Sequence, residues 1–368
     1  MKKTYNVIRL QDFKGGLHLA RGLTNAYDKS LKMLHSDTLK SAIFSCALQL
    51  FSEIGEAGDD NGFKKGKAFL NDFKISSAFP FYKGSEQENP LYFFPKPDVL
   101  KLPFDIEGEL GLEKKLKKVS FLERELFERL IKDNTETIVF KKHHLKGAFM
   151  VNNDEGLNFS GTGGILDNDD CSALTTSEPY QHVAIPRDQG SDSTPYYVDK
   201  IYFHQNAGLY FLVDTDDATF EKIKAAVKLL ADNGIGTDRN GGNGQFDVVF
   251  DTMELDIPDD GNFDLSLSLY CPLREEIQQI DKSFYGLTKR GGYISSPQNE
   301  ENLSIRKRSI HMFTEGSLFP KMKGRIGKVV DLKPDEKELA AKNIYINHPI
   351  WRDGQPIFIP MKYNIDGK

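Results

Sequence analysis

Arg239 stands among five glycines in the stretch Gly234-Ile235-Gly236-Thr237-Asp238-Arg239-Asn240-Gly241-Gly242-Asn243-Gly244-Gln245-Phe246. Glycine accepts positive φ and lets a second backbone come close, so such a run offers bare N–H groups to an anion, and the arginine adds a forked charged donor. The competing reading of Arg239 is an ion pair with Asp238 or Asp232 that holds an ordinary turn. A nucleotide-cofactor cradle is disfavoured by order. Dinucleotide and triphosphate loops run strand, loop, helix, so that phosphate meets a helix N-terminus, whereas here a helical pattern precedes the loop and a strand pattern follows it. No third glycine completes Gly234-x-Gly236, and no Gly-Lys-Ser/Thr follows.

Other residues invite chemistry less strongly. His18, just after Gly15-Gly16, is of the type that serves a metal-independent ribonuclease as general acid or base against a 2′-hydroxyl. It has no evident catalytic partner, and a satisfied sheet histidine or one that stacks on a base is the stronger reading. Asp37 could position a metal or water, but its place at a helix start favours an N-cap. Lys289-Arg290-Gly291-Gly292 joins charge to a close-approach backbone, with Tyr293 beside it to stack on a base; a solvated hairpin turn is an equal alternative. Arg306 and Arg308 alternate around Lys307 and would share one strand face, a phosphate-tracking geometry. The Lys114–Lys118 run wraps its helix as a solvated face does. His143-His144 is rejected as a metal pair, because neighbours point apart on a strand and no further ligand sits at the right spacing. No cofactor and no metal is implied.

These residues belong to a chain of 368 residues, 39% hydrophobic and 28% charged, the profile of a globular protein with room for two domains. Its net charge of −6 gives no global basic footprint, so any RNA contact must be local. Cys46, Cys171 and Cys271 are odd in number and far apart, which argues against a disulfide framework or zinc knuckle and fits a reducing cytoplasm. Lys2-Lys3 is not followed by an apolar run, so neither export nor membrane spanning is expected.

Tyr5–Leu10 reads as a strand, and Leu39, Ile43, Ala47 and Leu50 place a helix from Ser36. From Gly55 to about Pro195 the pattern turns irregular and reads as an insertion, with an aromatic-rich extended piece at Phe79–Phe94, whose default is core packing, and a charged helix near Leu112–Ile131. Ile201–His204 and Leu209–Val213 follow as strand, turn and strand. Phe220, Ile223, Val227 and Leu230 then mark a helix over Asp217–Asn233, stopped by Gly234, and Phe246–Phe250 closes the set as a strand. With the insertion set aside the order is strand, helix, strand, strand, helix, strand, that of a ferredoxin-like (RRM-type) unit. The predicted class is α+β, with a first unit over 1–256, its insertion at about 56–195, and a second unit of the same kind over 257–368.

Four blocks together resemble the RAMP proteins of CRISPR systems: His35–Leu39, Gly234–Phe246, Lys289–Tyr293 with Lys307–Ser317, and His348-Pro349-Ile350-Trp351-Arg352-Asp353-Gly354. RAMPs carry a glycine-rich loop between the second helix and last strand of a ferredoxin-like fold. More narrowly the chain resembles the fourth Csm subunit of type III-A effector complexes. The resemblance implies a non-catalytic role: gripping the 5′ handle of the crRNA and docking to the large polymerase-like signature subunit and the backbone RAMP subunit, with target RNA met through the complex. The residues it assigns to RNA are Gly234, Gly236, Arg239, Gly241, Gly242, Gly244, His18, Lys289, Arg290, Gly291, Gly292, Arg306 and Arg308. Where relatives often have a further glycine, Thr237 stands, which implies a stiffer loop. A RAMP-type crRNA-processing endoribonuclease using His18 is the alternative.

Overall fold

A computed structural model describes residues 1–19, 33–55, 60–84, 89–99, 102–106, 112–133, 137–140, 144–152, 174–185, 192–237, 239–294 and 305–365. The elements that matter for the site are β1 (Lys2–Lys14), α1 (Ser36–Leu50), β2 (Phe79–Tyr82), β3 (Leu91–Pro95), β4 (Phe121–Glu123) and α2 (Arg124–Lys132). They continue with β5 (Thr175–Ala184), β6 (Thr194–Phe203), β7 (Ala207–Asp214), α3 (Asp217–Asn233), β8 (Gln245–Asp256) and β9 (Phe263–Ser266). The last are β10 (Leu287–Arg290), β11 (Ile310–Phe313), β12 (Leu318–Pro320), β13 (Lys328–Asp331), β14 (Trp351–Gly354) and β15 (Phe358–Met361).

The class is mixed α+β. The main sheet begins in the order β8-β1-β7-β2, all antiparallel, and runs on through β3 and β4 to short strands at 149–150 and 145–146. Register is pinned by apolar pairs: Ile8 faces Phe211 and Phe250, Tyr210 faces Phe79, and Phe81 faces Tyr92.

The strand beside β7 corrects the sequence reading. Ile201–His204 was expected there, but Thr194–Phe203 pairs instead with Thr175–Ala184 as a separate two-stranded ladder. The place is taken by Phe79–Tyr82, from the stretch read as an insertion. All four residues of β2 are buried, so the segment belongs at the sheet centre, and Phe79–Tyr82 and Tyr92–Phe94 pack in the core as expected of the aromatic-rich piece. The predicted Leu112–Ile131 helix is two helices, Leu112–Lys118 and α2, separated by β4. Leu122 on β4 packs into the core, and that burial outweighs the helical charge pattern around it.

Because side chains alternate along a strand, β1 reads both faces of the sheet. Ile8 and Leu10 pack with Leu39, Ile43 and Ala47 of α1 and with Ile223, Val227 and Leu230 of α3. Tyr5 and Val7 point the other way, into a core with Phe94, with Phe127 and Leu130 of α2, and with Leu265 and Ile359 of the C-terminal strands. The sheet face that an RRM-type unit leaves open for stacked bases is therefore covered.

The C-terminal part departs from a second unit of the same kind. Among the described residues it forms the sheet β12-β9-β15 and two separate ladders, β10 with β11 and β13 with β14. Its helices, Arg274–Ile277 and Glu336–Ala341, span four and six residues, too short to build a helical layer across a four-stranded sheet. No helix among the described residues is long and apolar enough to cross a membrane.

Candidate nucleic-acid interface

The glycine loop follows α3 for local reasons. Asp216 caps the helix by accepting from the Thr219 N–H at 3.0 Å, and Gly234, at φ 76°, closes its C-terminus. From there the loop zips onto the end of β1 and onto itself. The Ile235 N–H donates to the Gly244 carbonyl at 2.9 Å, Thr237 N–H to His18 at 3.2 Å, Gly242 N–H to Arg239 at 2.9 Å, and Gly244 N–H to Lys14 at 3.0 Å. Asn243 adds a side-chain tie, its Oδ1 accepting from the Gly16 N–H at 3.3 Å.

Several of the N–H groups read as an anion cradle are thus engaged within the protein. Gly234, Gly236 and Gly244 are required by crowding: a Cβ would stand 2.8 Å from the Asn243 carbonyl, 2.8 Å from that of His18, and 2.0 Å from that of Ile235. Gly242, at φ 75°, has nothing within 4 Å of such a Cβ and borders open space. Arg239 is exposed in the one-turn 3-10 helix Arg239–Gly241, with no ion pair among the described residues. Asp238, a partner weighed for it, lies outside them, as does His143.

His18 is 2% exposed and lies beneath this loop, its Nδ1 donating to the Asp199 carbonyl at 2.7 Å. A ring so placed neither stacks on a base nor reaches a 2′-hydroxyl, so both functional readings of His18 give way to a buried core histidine held through Nδ1.

The second group of site residues gathers around Asp37, which is fully buried. It is not the helix cap: His35 holds that position, without a side-chain capping bond. Asp37 accepts instead from two guanidiniums. Arg290 donates through Nε to Oδ2 at 2.9 Å and through Nη2 to Oδ1 at 3.0 Å, and also reaches Thr38 Oγ1 at 2.9 Å. Arg352 approaches Oδ2 at 3.1 Å and donates to the Gly291 carbonyl at 3.2 Å. Beside them His35 Nδ1 pairs with Glu315 Oε1 at 2.8 Å, Ser77 donates to the same oxygen, and buried Lys40 meets Asp353 at 3.1 Å. Burial opposes the Asp37 charge, but Arg352 and then Arg290 outweigh it and hold the carboxyl far below its usual range.

Arg290, expected on RNA, is therefore a buried structural ion, 8% exposed, because α1 places a carboxylate against it. Its neighbours keep the outer surface. Lys289 is exposed on β10, and Gly291 and Gly292 are half-buried at the turn, Gly292 at φ 103°. Arg306 is exposed, its guanidinium 5.0 Å over the Tyr293 ring and its Nη2 donating to the Tyr293 hydroxyl at 3.1 Å. Exposed Arg308 donates to the Asp331 carbonyl at 3.0 Å. The arrangement offers exposed cations and one preformed Arg–Tyr stack, groups of the kind that engage phosphates and bases. Three of the four blocks that carried the resemblance converge on Asp37. Sequence reasoning missed this, because its partners lie more than 250 residues away.

Comparisons with known proteins agree with the resemblance. Residues 259–361 match the family described as the CRISPR Csm4 C-terminal domain. The CRISPR system Cms protein Csm4 of Methanocaldococcus jannaschii is 25% identical over 370 residues, covering 90% of this chain and 92% of that protein. Its namesake in Thermococcus onnurineus is 26% identical over 265 residues, covering 68% and 71%. Among solved structures, the Csm3-Csm4 subcomplex of the type III-A CRISPR-Cas interference complex shares the fold at TM-score 0.63 and 21% identity, over 97% of this chain and 100% of that one. The Csm1-Csm4 cassette in complex with pppApA does so at 0.54 and 17%, over 98% and 99%. Its C-terminal part thus matches the Csm4 C-terminal domain family, and nearly its whole length is similar to a Csm4 protein.

Proposed function

We propose that this chain is the subunit of a type III-A CRISPR effector complex that grips the 5′ handle of the crRNA and docks to the large signature subunit and the backbone RAMP subunit, without catalysing a reaction itself. Relatives occur in structures described as a Csm3-Csm4 subcomplex and a Csm1-Csm4 cassette, which supports those two partners. We read 1–256 as a ferredoxin-like unit, supported by the order β8-β1-β7-β2 and by α1 and α3 on one face, and 257–368 as a second domain packed on it. The complex works in the cytoplasm, and target RNA reaches the subunit through it.

The observation that carries the reading is the sorting of the basic residues. Arg290 and Arg352 are buried against Asp37, while Arg239, Lys289, Arg306 and Arg308 lie exposed, Arg308 with the Asp335 carboxylate at 3.8 Å. Exposed cations at loop and strand positions suit contacts to phosphate, which fix position and register on the RNA. Because the sheet face is covered, the contacts come from the loop and the C-terminal strands.

Replacing Arg239, Lys289, Arg306 and Arg308 together by Ala, in reconstituted complex, is expected to weaken crRNA retention by about tenfold or more and to flatten its salt dependence. Retention equal to that of the unaltered complex in a filter-binding titration would reject the reading. Incubation with repeat RNA tests the non-catalytic part: no cleavage is expected, and cleavage abolished by His18→Ala would overturn it.

A further inference from the structure

Among the described residues, every buried Asp, Glu and Lys, and every buried Arg except Arg9, has a hydrogen bond or an ion pair from its side chain. Arg9 has neither. It is 7% exposed, its Nε and Nη1 are buried without a hydrogen-bond partner, and no carboxylate among the described residues pairs with it.

Its placement follows from β1. Arg9 stands opposite Tyr210 of β7 and Val249 of β8, so it shares the sheet face of Tyr5 and Val7. Its guanidinium lies over the Phe81 ring of β2, 5.7 Å from the centroid. To arrive there it crosses β7 near Gly208, which pairs with Phe81 and where an added Cβ would stand 2.7 Å from that ring. An aromatic face attracts a cation but does not replace a counter-ion. The apolar cover of the sheet face ends at this point. Val7 and Met253 are buried in it, whereas Gln11 and Val249 are half-buried, and Asp247 and Asp251, opposite Gln11 and Val7, are exposed.

From this juxtaposition we infer that Arg9, at the edge of the covered face between Phe81 and Val249, is a docking point for one carboxylate of an adjoining protein subunit, with Asp247 and Asp251 meeting basic side chains beside it. The inference rests on the partner-docking reading above and adds to it a residue and a charge pattern. A guanidinium so buried without an anion is a cost to the free protein, and an incoming carboxylate, whose plane matches its fork, relieves that cost. The rim selects protein over RNA. Two exposed carboxylates on the same face repel a chain of phosphates, whereas a segment carrying an acidic residue beside Lys or Arg satisfies both signs at once.

The test measures binding of the full-length chain to the large signature subunit and to the backbone RAMP subunit in turn, without RNA, together with crRNA retention by the reconstituted complex and thermal unfolding of the free chain. Arg9→Met is expected to weaken binding of one of the two subunits about tenfold, since a charge-assisted contact is lost. The unfolding temperature is expected to stay or rise, because the unpaired charge is gone, and crRNA retention to hold once the complex is assembled. Asp247→Asn with Asp251→Asn is expected to weaken the same subunit about threefold. Unchanged affinity for both subunits in Arg9→Met overturns the inference: a lower unfolding temperature would then make Arg9 a structural cation, and a loss of crRNA would assign the site to phosphate. Should Arg9→Met lower stability and affinity together, the rim variant decides, weaker binding at an unchanged unfolding temperature supporting the inference and unchanged binding rejecting it. If the unaltered chain binds neither subunit, the partner-docking reading itself fails.

Discussion

Asp37→Ala is expected to lower the unfolding free energy by about 3–5 kcal/mol, the largest single effect among the charged residues of this protein. The carboxylate is fully buried and receives two guanidiniums, so its removal strands both charges in a low-dielectric site, leaving Arg290 the Thr38 hydroxyl and Arg352 the Gly291 carbonyl as neutral acceptors. Chemical denaturation at neutral pH reads the loss directly. A double-mutant cycle separates the pair from the general cost of the site: Arg290→Met on the Asp37→Ala background is expected to add little, or to recover part of the loss. Full additivity of the two substitutions would show that the ion pair does not tie α1 to β10.

The same cluster makes stability depend on pH, and its groups act in opposite senses. Asp37 is depressed below its ordinary 3.8, as Arg352 and Arg290 overcome its burial, and Glu315 is depressed below 4.5, as His35 and Ser77 overcome its burial. Both contributions are present above those ordinary values and are lost as pH falls through the native ones. His35 is raised above 6.5, because Glu315 outweighs its burial, so its contribution is complete below 6.5 and is lost as pH rises through the native value. Asp37, Glu315 and His35 together are therefore expected to support the fold most strongly between about pH 4.5 and 6.5. Unfolding midpoints measured across that window check it.

Gly244→Ala is the second large effect. The residue sits at φ 74°, and a Cβ would lie 2.0 Å from the Ile235 carbonyl, with further backbone atoms of Ile235 at 3.1 and 3.2 Å. The left-handed backbone costs about 1–2 kcal/mol for an L-residue. The clash adds to that cost, since rigid backbone on the far side cannot yield without breaking the Ile235–Gly244 hydrogen bond. Gly242 supplies the control. It has nearly the same φ, 75°, with nothing within 4 Å of its Cβ, so Gly242→Ala is expected to carry the backbone cost alone. The difference between the two unfolding temperatures isolates the steric closing of the loop. Equal losses would mean that the loop is not packed as described.

That pair also separates two meanings of a glycine-rich stretch. Composition suggested bare N–H groups waiting for phosphate, but several of those groups are engaged by Lys14, His18, Arg239 and Gly244 itself. The glycines let the loop close against β1 and hold Arg239 outward; the charge at the surface is left to the side chain. Thr237, read as a departure that stiffens the loop, donates its N–H to His18 and so takes part in the closure.

The sequence by itself determined what local signals control. The apolar spacing of Phe220, Ile223, Val227 and Leu230 and the stop at Gly234 defined Asp217–Asn233 to the residue, because capping and periodicity act within a turn or two. The four separated blocks were enough to indicate the family. Only the tertiary structure decided which strand lies beside β7, since an aromatic run is equally apolar in an insertion and in a sheet, and long-range pairing selects between them. Only it showed that α2 and the C-terminal strands cover the second face of β1, and that Asp37 closes on Arg290 and Arg352 instead of capping its helix. A charge in a sequence carries no record of its partner; burial forces the pairing, and burial is a property of the folded chain.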